Sequence, residues 1–166
     1  MITHVGRANK SARLSFMTVT SDRPASRLDN IPTWLISQAS AHAHRLLTDQ
    51  LAAADARGYH YRLLGALDES GPASQAALGR RTGIDRSDVV AALNELSNDG
   101  YIRRSPDPND RRRNVVTITS SGERRLAALD AVLAAVQDEL LASLSSAERA
   151  VFVELLARIL RTAPER

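Results

Sequence analysis

The chain has 166 residues, of which 43% are hydrophobic and 25% are charged, a composition typical of one globular domain with an extension. It contains no cysteine, which excludes disulfides and thiol-based redox switches within this sequence. No apolar run approaches the roughly 18–20 residues of a transmembrane helix, so we expect a cytoplasmic protein without a membrane partner.

The net charge of +3 is unevenly distributed along the chain. Residues 1–27 carry five basic side chains and one acidic side chain, and residues 101–113 carry five arginines and two aspartates. The remainder of the chain is therefore net acidic. A concentrated positive charge favours an anionic partner, with nucleic acid first. A solvated basic surface explains the charge alone equally well.

The first segments predict a tail followed by two helices. Residues 1–27 mix Ser, Thr, Arg and Pro without periodicity, which predicts a basic, flexible tail before a domain over residues 28–166. Apolar residues recur at helical spacing over 31–55 and again over 59–69, so we expect a helix in each range. The Gly-Pro pair within 70–74 predicts a turn.

Two short helices with a tight connection follow, over 74–83 and 85–100. Gly83 is expected to end the first, because glycine adopts the left-handed conformation found after helix ends. Asp85 is expected to cap the second, with Asp88 three residues later as a variant of the capping box.

The second half of the chain predicts a hairpin and two more helices. Two strands, 101–105 and 114–119, are joined by a turn that contains two prolines. Leucines and valine at 3-4-3-4 spacing over 126–140 form an apolar seam on a long helix expected at 121–143. The last helix, within 144–160, is expected to have a serine cap supported by a glutamate. Its apolar face consists of Val151, Phe152, Leu155, Ile159 and Leu160.

This order of elements predicts a mainly α fold with a small β-hairpin wing, the winged helix-turn-helix. The helix over 85–99 has a size that fits the major groove. Its core side is expected to consist of Ile84, Val89, Leu93 and Leu96. Its DNA side is expected to consist of Arg86, Ser87, Val90, Ala91 and Asn94. The hairpin 101–119 would carry an arginine tip to the minor groove, whose negative potential attracts arginine.

The stretch GIDRSDVVAALNELSNDGYIRRSPDPNDRRRNVVTITSSG resembles the core of the MarR family of dimeric transcription regulators. The family signature is Asp-x-Arg in the wing, then an apolar strand, then Leu-Thr-x-x-Gly. Residues 110–112 match the first part, and residues 118–122 match the last part with isoleucine in place of leucine. In element order the resemblance extends over about 30–162.

The resemblance implies roles for the wing tip. Arg112 enters the minor groove, and Asp110 holds its guanidinium through a charge-assisted hydrogen bond. Arg111 and Arg113 are expected to contact phosphates or to form salt bridges within the subunit. The alternative for these residues is a turn whose charges only keep the protein soluble.

The resemblance also implies a paired scaffold. It places dimerisation helices at about 30–56 and 121–163 around a winged helix-turn-helix at about 59–120. The seam 126–140 and the apolar face of the last helix are consistent with a homodimer interface. Alternatively, these two apolar stripes pack on each other within one chain. A two-fold dimer would read double-stranded DNA with a pseudo-palindromic operator, whose half-sites lie about one helical turn apart.

Many proteins that resemble this family release DNA when a small, often aromatic or anionic, compound binds between the dimer region and the DNA-binding region. The residues placed to line such a pocket are Trp34, His42, Tyr59, Tyr61 and Arg62. A packed aromatic corner without a ligand is the alternative. A metal site is not expected, because His42 and His44 lie about 200° apart on a helix and cannot easily chelate one ion together.

The motifs point to a regulator rather than an enzyme. The sequence has no Gly-rich phosphate loop and no Ser–His–acid set in a recognisable context, so we expect neither catalysis nor a cofactor. The prediction is a homodimeric, sequence-specific DNA-binding transcriptional regulator, a repressor released by a small molecule. The alternative is a winged-helix module for protein–protein interaction without DNA binding, against which the arginine tip argues.

Overall fold

The computed structural model describes residues 27–106 and 114–161 of the chain. The elements in chain order are α1 (Pro32–Ala53), α2 (Gly58–Ser70), β1 (Ala73–Ser74), α3 (Gln75–Thr82), α4 (Arg86–Asn98), β2 (Ile102–Pro106), β3 (Asn114–Ile118), α5 (Ser120–Leu140) and α6 (Ser146–Arg161). This order confirms the predicted mainly α fold with a β-hairpin wing. Among the described helices, none combines the length and the hydrophobicity that crossing a membrane requires.

The described residues divide into two units, one of residues 27–36 and one of residues 37–106 with 114–161. The described part of the first unit is a turn followed by the start of α1, in which the Ile31 N–H donates to the Leu28 carbonyl at 3.0 Å. The second unit holds the rest of α1 and all later elements. The predicted tail, residues 1–27, lies almost wholly outside the described residues and stays a prediction.

Local signals set the ends of several helices. The Ser74 side chain accepts a hydrogen bond from the Ala77 N–H at 3.3 Å and so caps α3. Gly83 ends that helix in the left-handed conformation, with φ of 61°, as predicted. Ser145 and Glu148 form the capping box expected before α6: the Ser145 N–H donates to the Glu148 carboxylate at 2.8 Å.

The sheet has three antiparallel strands in the order β1-β3-β2. Ile102 lies opposite Ile118, and Arg104 lies opposite Val116. Residues that lie opposite each other, or two apart on one strand, share a face of the sheet. On this face Ile102 and Val116 are buried in the core. Strand β1 is a correction to the sequence prediction, which read residues 70–74 as a turn only. Ala73 pairs with Val116 because this two-residue segment passes along the free edge of β3.

The wing is fixed to α5 by the Thr-x-x-Gly pair of the signature. The Thr119 hydroxyl donates to the Gly100 carbonyl at 2.8 Å and accepts from the Gly122 N–H at 3.1 Å, which caps α5. Gly122 is buried, and a Cβ there would overlap the carbonyl oxygen of Tyr101. The glycine therefore lets the first turn of α5 lie against the junction between α4 and β2.

The hydrophobic core lies between α2, α3, α4, the sheet and the first half of α5. Its most deeply buried side chains are Leu51, Leu63, Leu64, Leu67, Leu78, Val89, Leu93, Leu96, Val116 and Leu129. Helix α1 contributes through its last turns, since Leu51 is buried and Leu47 packs against the same cluster. This core supports α4 from one side along its length.

The predicted role of the 126–140 seam requires a correction. Leu126 and Leu129 belong to the core of the chain itself, and Leu133 packs against that core. Leu126 and Leu129 are therefore not available to a second copy, and the expectation that this seam forms the dimer interface is wrong for those two residues. The alternative, in which the seam and α6 cover each other, stays a prediction: no residue of α6 is buried in the single chain, whereas Val136 of the seam is buried outside this core cluster.

Candidate nucleic-acid interface

Helix α4 separates its side chains into two faces, as the sequence predicted. The core face holds Val89, Ala92, Leu93 and Leu96, all buried, and Ile84 just before the helix is buried with them. The five residues predicted to face DNA are all exposed: Arg86, Ser87, Val90, Ala91 and Asn94. The helix thus presents one continuous surface of three polar residues, Ala91 and the exposed Val90, and apolar packing holds its opposite face.

The start of α4 differs from the predicted capping box. Asp85 occupies the N-cap position, but its side chain makes no capping hydrogen bond. Asp88 lies beside Tyr59 of α2, and hydrogen bonding with Asp88, followed by the negative charge of its carboxylate, raises the pKa of Tyr59 above its ordinary value. The Asp88 carboxylate therefore faces α2.

A concave surface of about 1000 Å³ lies where α3, α4 and β3 meet. Its lining includes Arg86, which the sequence predicted as a DNA contact, together with Gln75, Arg80 and Asn114, which it did not. The sequence could have indicated Gln75, because the Ser74 cap places Gln75 at the first position of α3. This first turn of α3 lines the same concavity. Side chains that donate hydrogen bonds surround this concavity, and such donors suit phosphate oxygens.

The wing strands add positive charge beside this surface. Arg103 and Arg104 on β2 are both exposed. Their Cα partners on β3 are Thr117 and Val116, so the two arginines emerge on opposite faces of the hairpin. The predicted tip contacts, Asp110, Arg111, Arg112 and Arg113, lie outside the described residues and stay predictions.

The residues predicted to line a ligand pocket have partners on several different elements. The Tyr61 hydroxyl donates to Asp130 on α5 at 3.0 Å, which raises the pKa of Tyr61 above its usual value. Arg62 donates to the Thr82 carbonyl at the end of α3, and Tyr59 engages Asp88 on α4.

His42 is exposed on α1 in the second unit, and Trp34, 39% exposed, belongs to the first unit. In the described part of the chain, no three His, Asp or Glu side chains are grouped to hold a metal ion. A pocket formed jointly by the five predicted residues stays a prediction.

The polar face of α4, the concavity at α3 and the basic β2 strand lie on one winged helix-turn-helix, and known proteins share this arrangement. A sequence model of the MarR family matches residues 47–113. The transcriptional repressor NicR of Pseudomonas putida is 32% identical over 97 residues, which cover 58% of this chain and 61% of NicR. The transcriptional regulator HosA of Escherichia coli O157:H7 is 30% identical over 102 residues, which cover 61% of this chain and 76% of HosA.

The solved structure of the PcaV regulator from Streptomyces coelicolor, in complex with its natural ligand, gives a TM-score of 0.66 at 29% identity. The match covers 86% of this chain and 100% of that one. The chain spans only 54% to 61% of the lengths of three curated relatives that are 32% to 34% identical to it.

Proposed function

The chain belongs to the MarR family, and we propose that it is a homodimeric, sequence-specific DNA-binding transcriptional regulator. One observation carries this proposal: the five exposed residues of α4 that were predicted to face DNA oppose a fully buried apolar face. A helix held in this way enters the major groove with its side chains already oriented. Arg103 and Arg104 add charge for the adjacent phosphates.

The dimer part of the proposal is supported by α6. Its apolar side chains are exposed in the single chain, including Val151 at 54%, Leu155 at 47% and Leu160 at 71%. Exposed apolar side chains gathered on one helix are typical of surfaces that bind another protein. A second copy that covers this helix would place two α4 helices on one DNA duplex.

Repression and control by a small molecule are proposed from relatives. NicR is named a repressor, and PcaV was solved with its natural ligand. By analogy, an aromatic or anionic compound would bind between the dimer region and the DNA-binding region of this protein and lower its affinity for DNA. The pocket residues proposed for it are those predicted from the sequence: Trp34, His42, Tyr59, Tyr61 and Arg62.

The test is a selection of bound fragments from random DNA by the purified full chain, followed by affinity measurements at several salt concentrations. We expect one enriched pseudo-palindrome and a steep loss of affinity with salt, with a log–log slope of about −0.9 per neutralised phosphate. Arg112→Ala should weaken operator binding by about 1–3 kcal/mol without loss of folding.

Arg124→Ala, which removes an exposed arginine of α5, serves as the control for Arg112→Ala. Absence of any enriched sequence would contradict the regulator proposal and favour the protein-interaction module. A panel of small phenolic compounds, added to the operator complex, tests ligand control. Release by none of them would contradict that part alone.

A further inference from the structure

The Glu95 carboxylate on α4 bonds two side chains near the start of α2. Arg57 lies just before α2, and His60 lies in its first turn. The Oε1 atom of Glu95 lies 2.5 Å from Nη2 of Arg57, and its Oε2 atom lies 2.8 Å from Nε2 of His60. The His60 side chain is only 12% exposed, whereas that of Arg57 is 64% exposed. Both oxygens of the Glu95 carboxylate are thus bonded to side chains at the end of the α1–α2 connection and in the first turn of α2.

The same segment approaches α4 at a second place. Tyr59, between Arg57 and His60 in sequence, lies close enough to Asp88 for that side chain to raise the pKa of Tyr59. Asp88 and Glu95 are seven residues apart, so they lie on the same flank of α4, about 10 Å apart along its axis. The segment therefore faces α4 over two turns and is bonded to it at Glu95.

Helix α5 fixes the other end of this junction. The Arg125 Nη2 atom donates to the carbonyls of Ala54 and Asp55 at 2.5 and 2.8 Å. Asp55 adopts a left-handed conformation with φ of 52°, unusual for a residue other than glycine. The Arg125 guanidinium also lies 5.7 Å from the ring centroid of Tyr101, at the exit from α4. A single α5 side chain therefore contacts both the junction and the chain that leaves α4.

We propose that residues 54–60, the α1–α2 junction, are the mechanical link through which α5 sets the orientation of α4, with Arg125 and Glu95 as its positioning residues. The inference rests on the proposed DNA-binding function of α4. Since α5 is followed in the chain by α6, a rearrangement between two copies would act on the junction through Arg125 and on α4 through Glu95.

The magnitudes favour a positioning role over a stabilising one. Pairs such as Arg57–Glu95, with one partner largely exposed, contribute little to the free energy of unfolding, typically about 0–1 kcal/mol. Their geometry nevertheless specifies where the carboxylate, and with it the helix, must lie. Loss of the Arg57 half of the link should therefore change operator recognition more than thermal stability, whereas loss of the Glu95 bond to the largely buried His60 adds a stability cost of about 1–3 kcal/mol.

The test compares operator affinity, affinity for random DNA and thermal midpoint for Glu95→Ala and two controls. Asp99→Ala removes an equal charge at the same end of α4, where the described residues show no side-chain bond to Asp99. Arg124→Ala removes a charge from α5 beside Arg125; among the described residues, the Arg124 side chain bonds Ser121 of its own helix. We expect Glu95→Ala to weaken operator binding about tenfold, and its affinity for random DNA to match that of Asp99→Ala.

Arg125→Ala should likewise weaken operator binding relative to Arg124→Ala, and the two losses should be non-additive in the double variant because both residues act through one link. If Arg125→Ala does not fold, Arg125→Lys, which retains the charge, replaces it and should give an intermediate loss. Additive losses, or a Glu95→Ala affinity equal to that of Asp99→Ala, would overturn the link while the proposed function stands. A parent protein without operator preference would overturn both.

Discussion

Helices α4 and α6 have similar amphipathic sequences and opposite surroundings. Helix α4, of 13 residues, buries four of them in the core of the chain. Helix α6, of 16 residues, buries none, although Val151, Phe152, Leu155, Ile159 and Leu160 share the spacing of an apolar face. An apolar face on a helix therefore marks a place for a contact, but it does not specify whether the same chain or a second copy supplies the other side.

The largest expected difference between the two helices concerns the free energy of unfolding. Leu93→Ala, which truncates a fully buried α4 side chain, should destabilise the protein by about 2–5 kcal/mol, because it removes apolar contacts and leaves a cavity. Leu160→Ala, at 71% exposure in α6, should cost far less in the isolated chain. Urea unfolding at low protein concentration measures both, and equal losses would contradict the comparison.

A charge on α6 should disrupt pairing rather than folding. Leu155→Asp places a carboxylate on the exposed apolar face, where a second copy would have to desolvate it. We expect the dimer dissociation constant to rise about 100-fold, which corresponds to about 2.8 kcal/mol. Sedimentation velocity over a concentration series measures this change. A variant that remains dimeric at the concentrations of the parent would show that α6 does not form the interface.

The free energy of unfolding should be sensitive to substitution of Gly122, where the first turn of α5 lies against the chain that leaves α4. Gly122→Ala adds a methyl group against the Tyr101 carbonyl and should destabilise the protein by about 1–3 kcal/mol through overpacking. Gly65→Ala, inside α2 with open space around its Cβ, is the matched control and should be neutral or stabilising by up to about 1 kcal/mol. Thermal unfolding compares them, and the opposite order would contradict the role given to the Thr-x-x-Gly pair.

The smallest effect concerns the start of α6 and depends on pH. Hydrogen bonds from the Ser145 hydroxyl and N–H lower the pKa of Glu148 below its usual 4.5. A lowered folded-state pKa means that the capping box stabilises α6 above pH 4.5 and that this contribution is lost as the pH falls through the folded-state pKa.

NMR chemical shifts of residues 146–149 should therefore show fraying of the first turn of α6 in acid. Glu148→Gln should reduce this pH dependence, whereas the shifts of α4 should not follow it. Shifts that stay constant between neutral pH and about pH 3 would contradict the cap.

The sequence predicted the order of elements and the two faces of α4 because both depend on local patterns. Glycine and capping residues mark the helix ends, and apolar spacing identifies the buried side of a helix. It did not predict β1, since two residues carry no periodic signal. It assigned Asp88 to a cap because the competing partner, Tyr59, is distant in sequence.

Tertiary contacts account for the remaining differences. The 126–140 seam was correctly read as apolar, but the 3-4 spacing cannot distinguish the core of one chain from a second copy. Arg57 and His60 lie 38 and 35 residues from Glu95, beyond the reach of any local pattern. The residues of the candidate interface were thus predictable where they lie on α4 itself. The contacts from other elements that position α4 were not.

Hydroxyl-radical footprinting of the selected operator by the full chain reports both the pairing of two copies and the contact of α4 with DNA. A dimer joined through α6 and reading DNA through α4 should protect two blocks whose centres lie about one helical turn, roughly 10 base pairs, apart. A single protected block, or protection without a two-fold pattern at concentrations that saturate the operator, would contradict this arrangement.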